Sequence, residues 1–186
     1  MTGLRSPMPF FPSLAADAGL PQVLALNRSA RRAVIAAKTA MFAVASTLSA
    51  TEKELIAAYV SVLNARLRGN DSAPSVQGGN VDLRLVGALL EDFDHAPVDR
   101  RLRPILAYAR KLTVTPLRMT AADASAVFSE GWTERDLHDT VLIAAMFVYL
   151  NCLQDGHGVS GVPTVFDERN RLAMSFDCAL PLKWLE

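Results

Sequence analysis

Apolar residues recur at helical spacing along most of the chain. From Ala33 to Ser46 the sequence reads AVIAAKTAMFAVAS, rich in alanine and without β-branched alternation, which predicts an α-helix. A second helix opens at Ser49, whose hydroxyl can cap free amides while Glu52, three residues on, reaches back to the cap's own N–H. Leu55, Ile56, Tyr59, Val60 and Leu63 then form one apolar stripe. Residues 71–80 are mostly Ser, Pro, Gln and Gly, the chemistry of a loop. Helical patterning resumes across VDLRLVGALLEDF and DRRLRPILAYARKL, with Pro104 expected to kink the second or restart it. Two further starts pair Thr120 with Asp123 and Thr133 with Asp136, each placing an acid where the helix dipole favours it. The last helix carries the apolar run VLIAAMFVYL and is expected to reach about Gln154, stopping near Gly156 and Gly158. The pattern predicts a single all-α domain over residues 1–186. Residues 1–14 form an irregular arm, and residues 161–186 an irregular tail whose Leu180, Leu182, Trp184 and Leu185 dock on their own domain or on a neighbour.

Composition narrows the function classes. Basic and acidic residues number 19 each, so no net field draws the chain to nucleic acid or to an anionic membrane, and any ligand is recognised locally. The run from Val141 to Leu150 is well short of the roughly 20 residues that span a bilayer, so it predicts a buried helix segment rather than a membrane span. The opening MTGLRSPMPFFPSL carries three prolines where a secretion signal has an unbroken apolar stretch, and the expectation is a cytoplasmic protein. Cys152 and Cys178 are the only cysteines, too few for a disulfide framework. Cys152, inside the most apolar helix, is expected to be buried and to act as a small hydrophobe rather than a nucleophile. His95, His138 and His157 fit no metal-binding spacing, so neither metal nor cofactor is expected.

Three stretches, LSATEKELIAAYVSVLN, APVDRRLRPILAYARKLTVTP and GWTERDLHDTVLIAAMFVYLNCLQDGHGV, occur in an order and at a spacing that resemble the alkylhydroperoxidase D-like superfamily. That superfamily includes the carboxymuconolactone decarboxylases, and the closest resemblance is to its peroxidase-related branch. The resemblance implies an alkylhydroperoxidase D-like helical domain and a homo-oligomer. Redox members of the superfamily carry a glutamate followed by Cys-x-x-Cys-x-x-x-His. One thiolate attacks the peroxide and the other, at i+3 on the same helix face, resolves it. In this chain Glu54 matches the glutamate, Arg66 falls on the first cysteine and Gly69 on the second, and the histidine position lands near Ala73. Neither arginine nor glycine can form a sulfenic acid or a disulfide, so the resemblance implies an antioxidant-family frame without its thiol-peroxidase chemistry.

Each candidate residue admits a structural and a functional reading. Arg66, Arg68 and Gly69 can simply terminate a helix. Alternatively, Asn64, Arg66 and Arg68 present donors to a small anionic ligand, a carboxylate or a phosphate. Glu54 is either a first-turn acid or a buried proton acceptor. His157, in QDGHG beside Asp155, is a surface loop residue or an acid–base group. Tyr149 and Asn151 resemble polar positions of the peroxidase-related branch, or else satisfy backbone groups in the core. Three functions follow: a peroxidase-related protein that has lost its thiol chemistry, a cysteine-independent decarboxylase or lyase using Glu54 and a histidine, and a non-catalytic binding or partner subunit.

Overall fold

The computed structural model describes residues 8–43, 46–67 and 81–159. Among these the secondary structure is entirely helical: α1 (Leu20–Ala25), α2 (Arg28–Ala43), α3 (Ala50–Leu67), α4 (Leu83–Glu91), α5 (Arg103–Val114), a 3-10 turn (Pro116–Arg118), α6 (Ala121–Ser129) and α7 (Glu134–His157). This is the all-α architecture that the helical patterning predicted. The residue 71–80 loop, Arg68, Gly69, Cys178 and the apolar tail lie outside the described residues.

Local chemistry sets the helix starts. Ser49 and Glu52 form the expected reciprocal cap, the Ser49 N–H donating to Glu52 Oε2 at 2.7 Å and the Glu52 N–H to Ser49 Oγ at 3.2 Å. Thr120 and Asp123 repeat the device at α6, and Thr133 and Asp136 at α7. Pro104 restarts rather than kinks its helix, because it sits in the first turn of α5, where its missing N–H has no partner to lose. The short α1 was not legible in the apolar pattern; a proline in its first turn marks where it starts.

The core forms where α3 packs against α7 and α5, with α4 on a further side. The single stripe expected on α3 understates its burial, for every residue from Leu55 to Ala65 is buried. A helix enclosed on all sides needs small residues where neighbours approach, and Ala57, Ala58, Ser61 and Ala65 supply them. Ile105, Leu106, Ile143, Ala144 and Phe147 close the core from α5 and α7.

At 24 residues, α7 is long and apolar enough to cross a membrane by length and composition, which the ten-residue run did not suggest. Half of its most apolar window is packed inside the fold, and Asp136, Asp139, Asn151 and Gln154 are buried with it, as befits a core helix. It runs three residues past Gln154 and stops at Gly158, one of the two glycines expected to end it. Gly158, at φ +65°, takes the left-handed capping position, and a Cβ there would stand 2.6 Å from the Phe10 ring, so both backbone and space demand glycine. The Phe10 N–H donates to the His157 carbonyl at 2.9 Å, fastening the N-terminal arm to this helix end.

Two long-range contacts lock the α3 start to the α7 start. The buried Lys53 ammonium lies 3.4 Å from Asp139, which also accepts from Arg135 Nε at 3.1 Å. Asp136 accepts the Thr47 N–H at 2.8 Å.

Candidate functional site

The sequence nominated a site on α3, and that helix distributes its polar groups over two faces. Glu54, Ser61 and Asn64 lie within about 80° of one another around the axis. Each has a buried polar atom without a hydrogen-bond partner: Glu54 Oε2, Ser61 Oγ and Asn64 Nδ2. Ala57 lies between them, and Ala58 and Ala65 flank Glu54 on its other side, about 40° and 20° away. Leaving a buried polar atom unpaired costs about 1–3 kcal/mol, so three on one face make it the candidate face for a ligand or ordered water.

Arg66 occupies a different face. It lies twelve residues beyond Glu54 on an unbroken helix, about 18 Å further along and rotated by about 120°. Its guanidinium is exposed and donates to the Leu90 carbonyl at 3.3 Å. The fold therefore does not bring Glu54 and Arg66 together within one chain. Arg68, the third residue of the expected anion cluster, lies outside the described residues.

The histidines are also placed apart from Glu54. His157 is the last residue of α7, not part of a flexible turn, because the αL glycine that ends the helix is Gly158 and Gly156 stays helical. Its Nδ1–H donates to the Leu153 carbonyl at 2.7 Å and its ring stacks on Phe11 at 4.4 Å between centroids. Lys53, next to Glu54, contacts Asp139; His157 lies eighteen residues further on, about 27 Å along α7. Glu54 and His157 therefore sit at opposite ends of the α3–α7 pair. His138, at the Glu54 end, faces solvent, and exposed His95 pairs with Asp92 at 2.8 Å.

Cys152 is exposed, not buried as expected. Around it on α7 the buried positions are Leu150, Asn151 and Gln154, and the residue after Asn151 is turned by about 100°, which carries Cys152 to the outer face. Tyr149 is likewise exposed, whereas Asn151 is buried. Among the described residues no group of His, Cys, Asp and Glu is arranged to hold a metal ion.

A second group of residues escaped sequence reasoning because its members are far apart in the chain. The Tyr59 ring is fully buried and stacks against Phe93 at 6.4 Å between centroids. Its hydroxyl has no hydrogen-bond partner. Burial pushes the phenol up to about 12, opposed in part by the positive charges of Arg110 and Arg66. The guanidinium carbons of Arg110 and Arg103 stand 5.5 and 5.8 Å from the Phe93 ring centre. The only sequence signal was the arginine density of RRLRPILAYARK, which does not reveal that Phe93 and Tyr59 gather these charges.

The architecture has counterparts among solved structures. An uncharacterized peroxidase-related protein from Silicibacter sp. TM1040 superimposes with a TM-score of 0.58 at 25% identity, over 75% of this chain and 73% of that one. An alkylhydroperoxidase AhpD core structure, an uncharacterized peroxidase-related protein from Ralstonia eutropha JMP134, gives a TM-score of 0.55 at 20% identity, over 86% of this chain and 95% of that one. No protein-family model and no curated protein matches the chain. The fold and the first of these structures define the class: the chain is a member of the alkylhydroperoxidase D-like superfamily.

Proposed function

We propose that this chain is a peroxidase-related protein of antioxidant descent that has lost thiol-peroxidase activity. The observation that carries the reading is Arg66. Where the resemblance puts the superfamily's first cysteine, this chain carries a guanidinium bonded to the Leu90 carbonyl, a group that cannot become a thiolate at any physiological pH. Cys152, on the outer face of α7 without a second cysteine among the described residues, has no resolving partner there. The test is turnover of an alkyl hydroperoxide with a dithiol reductant. The expected rate equals that without protein, and turnover abolished by Cys152→Ala overturns the proposal.

A second reading, a cysteine-independent lyase or decarboxylase, is favoured by the unpartnered carboxylate oxygen of Glu54 and by Ser61 and Asn64 on the same helix face. Glu54 then moves a proton on a small carboxylated substrate that Asn64 helps to hold, with a water or a substrate group in place of His157. Loss of turnover without loss of binding in Glu54→Gln is its mark. The third reading, a binding or partner subunit, retains the same face as a ligand site without chemistry. In each case we propose a soluble, cytoplasmic homo-oligomer. Exposed Leu67 and the fully exposed Leu117 offer apolar surface for assembly, and light scattering that returns a monomer refutes that part.

A further inference from the structure

A hollow of about 280 Å³ opens between α5 and Phe93, lined by Phe93, Ala107, Arg110, Lys111, Val114 and Thr115. It lies away from the Glu54 face and just below the roughly 300–1,000 Å³ range of small-molecule sites, which suits a ligand of few atoms. Its charges are unevenly compensated. Lys111 is spent on Asp123, whose two carboxylate oxygens each lie 2.7 Å from the ammonium. Arg103 donates to the Phe93 and Ala96 carbonyls, and Arg66 to the Leu90 carbonyl. Arg110, exposed at the hollow, touches only the Phe93 ring face, and no carboxylate among the described residues pairs with Arg66, Arg103 or Arg110.

Two guanidinium groups, those of Arg103 and Arg110, stand over the Phe93 ring, and neither is paired with a carboxylate among the described residues. Just inward of Phe93 lies the buried, unpartnered Tyr59 hydroxyl, close enough to Arg66 and Arg110 to feel both charges. Of the remaining lining, the Thr115 hydroxyl donates to the Lys111 carbonyl at 3.4 Å, and Phe93, Ala107 and Val114 are apolar and suit a hydrocarbon body rather than a second charge. We propose that this hollow binds small monocarboxylates with an apolar body, the carboxylate held by the Arg110 guanidinium and the body laid against Phe93, Ala107 and Val114. Guanidinium pairs bidentately with carboxylate, and Arg110 has its donors uncommitted. Phe93 then serves as a platform shared by the cation and the ligand, holding Arg110 over the hollow.

Calorimetric titration of the full chain with benzoate, with benzamide as the uncharged analogue, tests the proposal. Benzoate is expected to bind wild type, and Arg110→Gln to weaken it by about tenfold or more. Val114→Trp, which fills the hollow from an exposed position, is expected to weaken it comparably. Benzamide is expected to bind wild type no better than benzoate binds Arg110→Gln. The proposal is overturned if wild type binds no benzoate, if Arg110→Gln binds it equally well, or if benzamide matches benzoate. Arg110 is exposed, so its replacement leaves the core intact, and should Val114→Trp not fold, Arg110→Gln decides alone. Binding is read directly, so the result is independent of whether hydroperoxide turnover is absent.

Discussion

Replacing Lys53 by methionine tests how the two core helices are held in register. The Lys53 ammonium and Asp139 carboxylate, 3.4 Å apart, are 2% and 3% exposed. Their attraction is worth about 5 kcal/mol at an effective dielectric near 20. Removing both ions from water costs several kcal/mol each, so the intact pair contributes little net stability. Losing one partner is different, because the other charge stays buried without its counterion, which costs about 3–5 kcal/mol. Asp139 would keep the Arg135 guanidinium, which places Lys53→Met near the lower end, about 3 kcal/mol. The double variant Lys53→Met with Asp139→Leu removes both charges and should recover most of that loss. Urea unfolding of wild type, both single variants and the double variant gives the cycle. A Lys53→Met loss below about 1 kcal/mol, or a double variant no more stable than Lys53→Met, refutes the reasoning.

Three smaller predictions follow from groups already described. Tyr59→Phe removes a buried hydroxyl that has no partner, so stability at neutral pH should be unchanged or rise by up to about 1 kcal/mol in urea unfolding, and a loss above that means water or ligand satisfies the hydroxyl. For Asp136, burial pushes the carboxyl up but hydrogen bonds from Thr133 and Thr47 outweigh it, leaving its pKa below the ordinary 3.8. Its contribution is therefore present above pH 3.8 and lost as pH falls through the lower folded value; Asp136→Asn should destabilise at pH 7 by about 1–2 kcal/mol and narrow to little difference in acid, as thermal unfolding across pH would show. Arg66→Ala should change stability by no more than about 0.5 kcal/mol, because its one hydrogen bond is exposed, and a larger loss in the same unfolding assay means that Arg66 supports structure the Leu90 contact does not explain.

Features that depend on residues three or four apart were legible in the sequence. The Ser49–Glu52, Thr120–Asp123 and Thr133–Asp136 caps needed only a hydroxyl and an acid at the right spacing, and Pro104 could only open a helix or break one. The resemblance to the superfamily also lay in the linear order of three stretches, and with it the all-α fold. Orientation within the fold was another matter. A stripe on α3 says that one side is buried, but not that three other helices enclose the rest, and a cysteine in an apolar run can still face outward when its neighbour at 151 takes the core.

The candidate site shows the same division. The sequence resemblance alone implies that Arg66 stands where the superfamily has its first cysteine, and residue type alone says that an arginine there cannot act as a thiolate. Tertiary structure alone decided what Glu54 can meet: a continuous α3 carries Arg66 away from it, and the shared starting end of α3 and α7 sends His157 to the far end of the pair. It also decided that Tyr59, Phe93, Arg103 and Arg110 form one cluster, because packing brings together residues whose separation along the chain carries no period to read. Capping is set by torsions and hydrogen bonds within one turn, whereas a site is set by which helix faces pack together, a choice made by the burial of the whole core.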